Sequence, residues 1–72
     1  MNGYQELANA IIVQACKDYR RALKILKKFP GDKGFLSGCT EIENFFHSSL
    51  YGTLTNIDGD ILIAKIREEV GI

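Results

Sequence analysis

Residues 4–29, YQELANAIIVQACKDYRRALKILKKF, decide the fold of this chain. Apolar side chains recur there every three or four positions from Tyr4 to Phe29, which is the period of an amphipathic helix. Pro30 disfavours helical geometry in the residue before it, so the helix is predicted to end at Phe29. At about 1.5 Å per residue, such a helix is roughly 39 Å long. The rest of the 72-residue chain is then needed to cover its apolar side.

A second helix is predicted at about 33–48. Asp32 is a good N-cap for it, and apolar residues follow at helical spacing. Thr40 and Glu43 also have the spacing of a capping box, which permits a later start. The connection to the first helix is short, so the two helices are expected to run antiparallel.

Residues 50–54 are compatible with one further helical turn, and a third helix is predicted at about 56–70. Thr55 with Asp58 has the spacing of another capping box, and Gly71 is a typical helix stop. The predicted fold is all-α: a small three-helix bundle with one long N-terminal helix, forming a single helical domain over residues 1–72. Because the first helix is the longest, one of its apolar ends is expected to stay uncovered in a monomer.

Composition favours a folded globular chain, with 46% hydrophobic residues and a single proline. The formal net charge is zero, but residues 17–28 carry six basic side chains and one acidic one. No stretch has the ~18–20 apolar residues of a membrane span, and the order of segments typical of a signal peptide is absent from the sequence. A cytoplasmic protein is therefore expected.

No catalytic or metal-binding motif is recognisable in the sequence. Cys16 and Cys39 are too few for a structural zinc site, and the helical register places them too far apart for a disulfide, so both are expected to be reduced. His47 has no sequence signature of a nucleophile or an orienting partner, and a surface position is expected. Residues 56–60 resemble part of a calcium loop but lack its first and last carboxylates. We therefore expect no enzyme, no metal and no cofactor.

The basic side of the first helix is the most specific surface feature. Such a row suits an acidic protein surface or a nucleic-acid backbone, although it is equally typical of a solvated helix face. The aromatic residues after position 34 do not all fit one helical stripe, so two of them are candidates for exposure, and acidic residues near the third helix start are candidate contacts. The predicted interaction surface comprises Lys17, Arg20, Arg21, Lys24, Lys28, Phe45, Tyr51, Asp58 and Asp60.

Several segments together resemble a known group of proteins. They are residues 12–23, residues 43–48, Leu54-Thr55 with Asp58-Gly59-Asp60 and Leu62-Ile63, and residues 67–70. The group consists of small uncharacterised proteins of prophages and integrative elements in Gram-positive bacteria. The resemblance implies a mobile-element accessory protein without catalytic residues, of a kind that acts as a stoichiometric binder, including inhibitors of host defence.

The expected function is binding of another macromolecule, and a protein is the leading candidate for this partner. Non-specific nucleic-acid binding through the basic side of the first helix is the alternative, and its mark is a steep loss of affinity with salt. A structural homo-oligomer is the further alternative, with a homodimer formed through the uncovered apolar end of the first helix.

Overall fold

The structure is a computed structural model, described over residues 3–72, and in that range it contains four α-helices and no strand. The helices are α1 (Gly3–Lys28), α2 (Lys33–Phe46), α3 (Ser49–Leu54) and α4 (Gly59–Val70). The all-α prediction is confirmed. The predicted three-helix layout is incomplete, because residues 49–54 form a helix of their own. Among the described residues, no helix combines the length and the apolar character needed to cross a bilayer.

One face of α1 supplies half of the core. Its buried residues follow the helical period: Ala8, Ile12, Tyr19, Ala22, Leu23 and Leu26. Three apolar residues of the predicted stripe lie outside this core, since Tyr4, Ile11 and Phe29 are 60%, 39% and 63% exposed. The buried face is therefore narrower than the apolar pattern in the sequence.

The predicted start of α2 is confirmed by its cap. The Asp32 side chain accepts a hydrogen bond of 3.0 Å from the Phe35 backbone N–H. Thr40 does not begin a helix, because it lies within α2 and donates its hydroxyl proton to the Leu36 carbonyl at 3.1 Å. α2 ends two residues before the predicted boundary, and Ser48 starts α3 by accepting a bond from the Tyr51 N–H.

α1 packs against α2, α3 and α4, and α2 also contacts α3 and α4. α2 runs antiparallel to α1 after the turn at residues 29–32, and α4 runs parallel to α1. Lys27 near the end of α1 therefore reaches the end of α4, where its Nζ donates to the Val70 carbonyl at 2.8 Å. At the opposite end, the Tyr4 hydroxyl donates to the Thr53 carbonyl of α3 at 3.3 Å.

A close approach between α2 and α4 depends on a glycine. Asp58 caps α4 by accepting a bond from the Asp60 N–H at 2.8 Å, and Gly59 is the first helical residue. A Cβ atom on Gly59 would lie only 2.2 Å from the Phe46 carbonyl oxygen. α4 begins three residues after the predicted start, because Asp58 and not Thr55 caps it, and it ends as predicted at Gly71, which has a positive φ of 83°. Without a side chain at Gly59, α4 can start directly against the end of α2.

Replacing Gly59 with Ala should therefore lower the free energy of unfolding by about 2 kcal/mol, because backbone must move to admit the methyl group. Gly38→Ala is the matched control within α2, where a Cβ atom meets nothing within 4 Å. That variant should gain roughly 0.5–1 kcal/mol from the higher helix propensity of alanine. Urea unfolding followed by circular dichroism measures the free energy of unfolding of each variant. Equal changes in the two variants would contradict the close packing of Gly59 against Phe46.

Candidate functional site

A partly buried hydrogen-bonded cluster of Tyr19, Glu43 and Arg67, which we call the polar tie, joins α1 to its neighbours. The Tyr19 side chain is completely buried, and its hydroxyl donates to Glu43 Oε2 of α2 at 2.5 Å. From α4, Arg67 Nη1 lies 3.4 Å from the Tyr19 hydroxyl oxygen and 3.6 Å from Glu43 Oε2. Burial, followed by the bond to Glu43, raises the pKa of Tyr19 to about 12. The tie joins three helices at one point, so it determines which side of α1 faces away from the core.

Two of the basic residues of α1 bond to α4 of the same chain. Arg20 is half-buried and its Nε donates to Glu69 Oε2 of α4 at 2.8 Å. Lys27 donates to the Val70 carbonyl, which satisfies one of the free carbonyl groups at the end of α4. Arg20 was predicted on the interaction surface, and the structure shows it 34% exposed and paired with Glu69 of α4.

The other four basic residues of this segment form what we call the outer basic face: Lys17, Arg21, Lys24 and Lys28. All four are exposed, and within residues 3–72 they make no hydrogen bond or ion pair. Their positions fall within about 60° of one another around the helix, and they span roughly 16 Å along it. Four of the five predicted basic contacts are thus brought together as one row.

An apolar groove runs beside this face, between α1 and α2. It has a volume of about 400 Å³, and its floor is formed by Ile11, Ala15, Ile42 and Phe45. Asp18 and Glu41 stand at its edge. Phe45, a predicted contact, is half-buried and lines this groove. The sequence pattern did not indicate the groove, because its shape depends on how α2 lies on α1.

The predicted exposure of Tyr51 is wrong. Tyr51 is only 4% exposed, because α3 lays its ring edge-on against Phe45 and Phe46, with centroids 5.8 Å and 5.5 Å away. Its hydroxyl has no hydrogen-bond partner among the described residues. Burial raises its pKa. Tyr51 is therefore a core residue with an unsatisfied polar atom, not a partner contact.

The acidic candidates lie at the junction of α2 and α4. The carboxylate of Asp58 caps α4, and Asp60 Oδ1 lies 2.5 Å from His47 Nε2. His47 is exposed, as predicted, and connects the end of α2 to the start of α4. No hydrogen bond or ion pair within residues 3–72 joins this junction to the outer basic face. The two groups of predicted contacts are separate surfaces.

The two cysteine thiols lie wholly or partly beneath the surface of α1 and α2. Cys16 and Cys39 are both free, half-buried and buried respectively, and burial is the main cause that raises the pKa of each thiol. A raised pKa keeps a thiol protonated and weakly nucleophilic. Over the described range, no group of three His, Cys, Asp or Glu side chains is placed to hold a metal ion.

No protein-family model matches the chain, and neither the curated proteins nor the solved structures compared with it show a significant match. The candidate site is therefore described from the structure of this chain alone. Sequence reasoning identified the basic row but missed the tie made by Glu43 and Arg67. The one available signal is that each follows a core-facing residue, Ile42 and Ile66, and so lies at the margin of a buried face.

The two buried tyrosines make a matched test of this geometry. Tyr19→Phe removes a hydroxyl that bonds Glu43, so the free energy of unfolding should fall by about 1 kcal/mol. Tyr51→Phe removes an unsatisfied hydroxyl, so stability should stay unchanged or rise by up to about 1 kcal/mol. Urea unfolding of both variants measures the contrast, and a larger loss in Tyr51→Phe would contradict these assignments.

The raised pKa of Tyr19 also predicts a loss of stability at alkaline pH. The ordinary tyrosine pKa of 10.0 applies to the unfolded chain, which releases the proton more readily than the folded state, with its pKa of about 12. The stabilising contribution of the Tyr19 hydroxyl is fully present below pH 10 and is lost progressively as pH rises toward 12. The free energies of unfolding of wild type and Tyr19→Phe, measured with urea at each pH, should therefore converge across that range. A constant difference between the two proteins from pH 10 to pH 12 would contradict the bond between Tyr19 and Glu43.

Proposed function

We propose that this protein is a non-enzymatic binding protein that recognises an acidic surface of another protein through its outer basic face. The observation that carries the proposal is the division of charge on α1. Arg20 and Lys27 are bonded within the molecule, whereas the four residues of the outer basic face have no partner among the described residues. Those four cations are held on one helix and are free to meet a partner.

The arrangement has an energetic cost that a partner relieves. Lys17 and Arg21, and likewise Lys24 and Lys28, are like charges one helical turn apart. Each such pair destabilises an exposed helix by about 0.2–0.5 kcal/mol. An acidic surface removes this repulsion on binding and also speeds the encounter by electrostatic attraction. The repulsion therefore favours binding of an acidic partner over solvation of the free face.

A protein suits this region better than a nucleic acid does. The apolar groove beside the basic row offers exposed aliphatic surface, and protein interfaces combine an apolar centre with a polar rim. Nucleic-acid binding is the second candidate, favoured by the straight row of cations over roughly 16 Å. Four phosphate contacts would give a salt dependence with a slope of at most about −4.

The proposed partner is a component of host machinery, such as a defence system. What supports this context is the resemblance of residues 12–23 and 43–48 to proteins of prophages and integrative elements. A stoichiometric inhibitor acts by occupying a surface, which requires no catalytic group on its own chain. The free cations of the outer basic face are consistent with that mode of action.

Capture from a Gram-positive bacterial lysate, with and without nuclease, tests the proposal. The tagged wild-type chain should retain a protein at near-equal stoichiometry after nuclease treatment. Arg21→Glu with Lys24→Glu should lose it, because two cations of the outer basic face become acidic. The control, Lys33→Glu with Lys65→Glu, makes the same charge change at exposed lysines of α2 and α4 and should retain the partner.

Two results would contradict the proposal. Equal capture by the two charge-reversed variants would remove the outer basic face from the interaction. Recovery of nucleic acid alone, lost on nuclease treatment or in high salt, would establish the second candidate instead.

A further inference from the structure

The apolar groove between α1 and α2 carries negative charge at its edge. Asp18 stands on the α1 side and Glu41 on the α2 side, and both are exposed. Asp18 Oδ1 accepts a hydrogen bond of 2.9 Å from Gln14, a neutral amide, and its Oδ2 has no partner in the described chain. Neither carboxylate belongs to an ion pair within residues 3–72, and no cation lines the groove there. The two negative charges are therefore open to a cation from outside the chain.

The floor of the groove suits the aliphatic stem of a long side chain. Ile42 and Phe45 are half-buried, and their remaining surface lines the groove. Phe45 packs against Phe46 and Tyr51, with ring centroids 5.7 Å and 5.8 Å away, so its ring is held in place from the core side. A stem laid across this floor is shielded from water, and a cation close to an aromatic ring gains a further attraction.

We propose that the groove receives an arginine side chain of the partner protein, with its stem across Ile42 and Phe45 and its guanidinium between Asp18 and Glu41. This inference rests on the proposed function, because it names what that partner presents beside its acidic surface. Arginine fits better than lysine, since a guanidinium is planar and weakly hydrated, stacks on aromatic rings and binds carboxylates through a fork of donors. An apolar side chain would leave both carboxylates without a counter-charge.

The charges around the groove also select the kind of partner. Asp18 lies about 60° from Arg21 around α1, on the side that faces α2, so the negative edge borders the outer basic face. The partner therefore presents acidic residues to that face and an arginine next to them. A uniformly acidic surface, nucleic acid included, would bring negative charge against Asp18 and Glu41. The pattern favours a protein surface with both signs of charge over a polyanion.

Two synthetic peptides test the groove by NMR titration of the isotope-labelled 72-residue chain. The probes are acetyl-Glu-Glu-Leu-Arg-Glu-Glu-amide and the same peptide with glutamine in place of arginine. The arginine peptide should shift the methyl signals of Ile42 and the ring signals of Phe45, and it should bind at least about threefold more tightly, through the aromatic ring and the carboxylates. The glutamine peptide is the more negative of the two, so the outer basic face alone would prefer it.

A charge-neutral pair of substitutions tests the two carboxylates. Asp18→Asn with Glu41→Gln should remove the preference for the arginine peptide. The matched control, Glu6→Gln with Glu68→Gln, makes the same charge change at exposed carboxylates outside the groove and should keep the preference. A preference that survives Asp18→Asn with Glu41→Gln, or that is lost equally in the control, would overturn the inference.

The same titrations separate this inference from the proposed function. Arg21→Glu with Lys24→Glu should weaken binding of both peptides while the preference for arginine persists. Unchanged binding of both peptides to that variant would contradict the role of the outer basic face and not that of the groove. The groove assignment is overturned if millimolar arginine peptide leaves the signals of Ile42 and Phe45 in place. A lysine peptide that binds as tightly as the arginine peptide would overturn the choice of arginine.

Discussion

The bond between the Tyr19 hydroxyl and Glu43, with Arg67 beside it, is the contact on which the arrangement of the helices depends. Tyr19 is fully buried, and a buried hydroxyl without a partner costs about 1–3 kcal/mol. The apolar face of α1 allows some rotation against α2 and α4, because hydrophobic burial is not directional. The hydrogen bond is directional, so it selects one rotation of α1.

The surface chemistry of α1 follows from that rotation. Arg20 and Lys27 are directed to α4, where one meets a carboxylate and the other a free carbonyl at the helix end. The remaining cations of the segment face away from the core, where no described residue pairs with them. Among the described residues, the bonded cations and the unbonded cations of α1 thus lie on different sides of one helix. The same rotation leaves Leu7 and Ile11 uncovered beside the groove.

Local signals in the sequence account for much of the fold. The period of α1, the cap at Asp32 and the stop at Gly71 each depend on a few neighbouring residues, and all three are present in the structure. The short helix α3 is harder to predict, because six residues show no periodicity. Its docking buries Tyr51, and that contact depends on tertiary packing.

The candidate site is also predictable only where it depends on neighbouring residues in the sequence. The basic row is visible as a helical pattern, but Arg20 and Arg21 are adjacent and chemically identical. Only the position of α4 distinguishes the arginine that is bonded from the arginine that is free. The groove likewise requires the relative placement of α1 and α2.

The most direct measurement is the solvent exchange of the arginine Nε–H protons by NMR in dilute solution, since the chain has three arginines and their signals can be resolved. The division of charge on α1 predicts slow exchange for Arg20, whose Nε donates to Glu69, and fast exchange for Arg21. Equal exchange at Arg20 and Arg21, or slower exchange at Arg21, would contradict it.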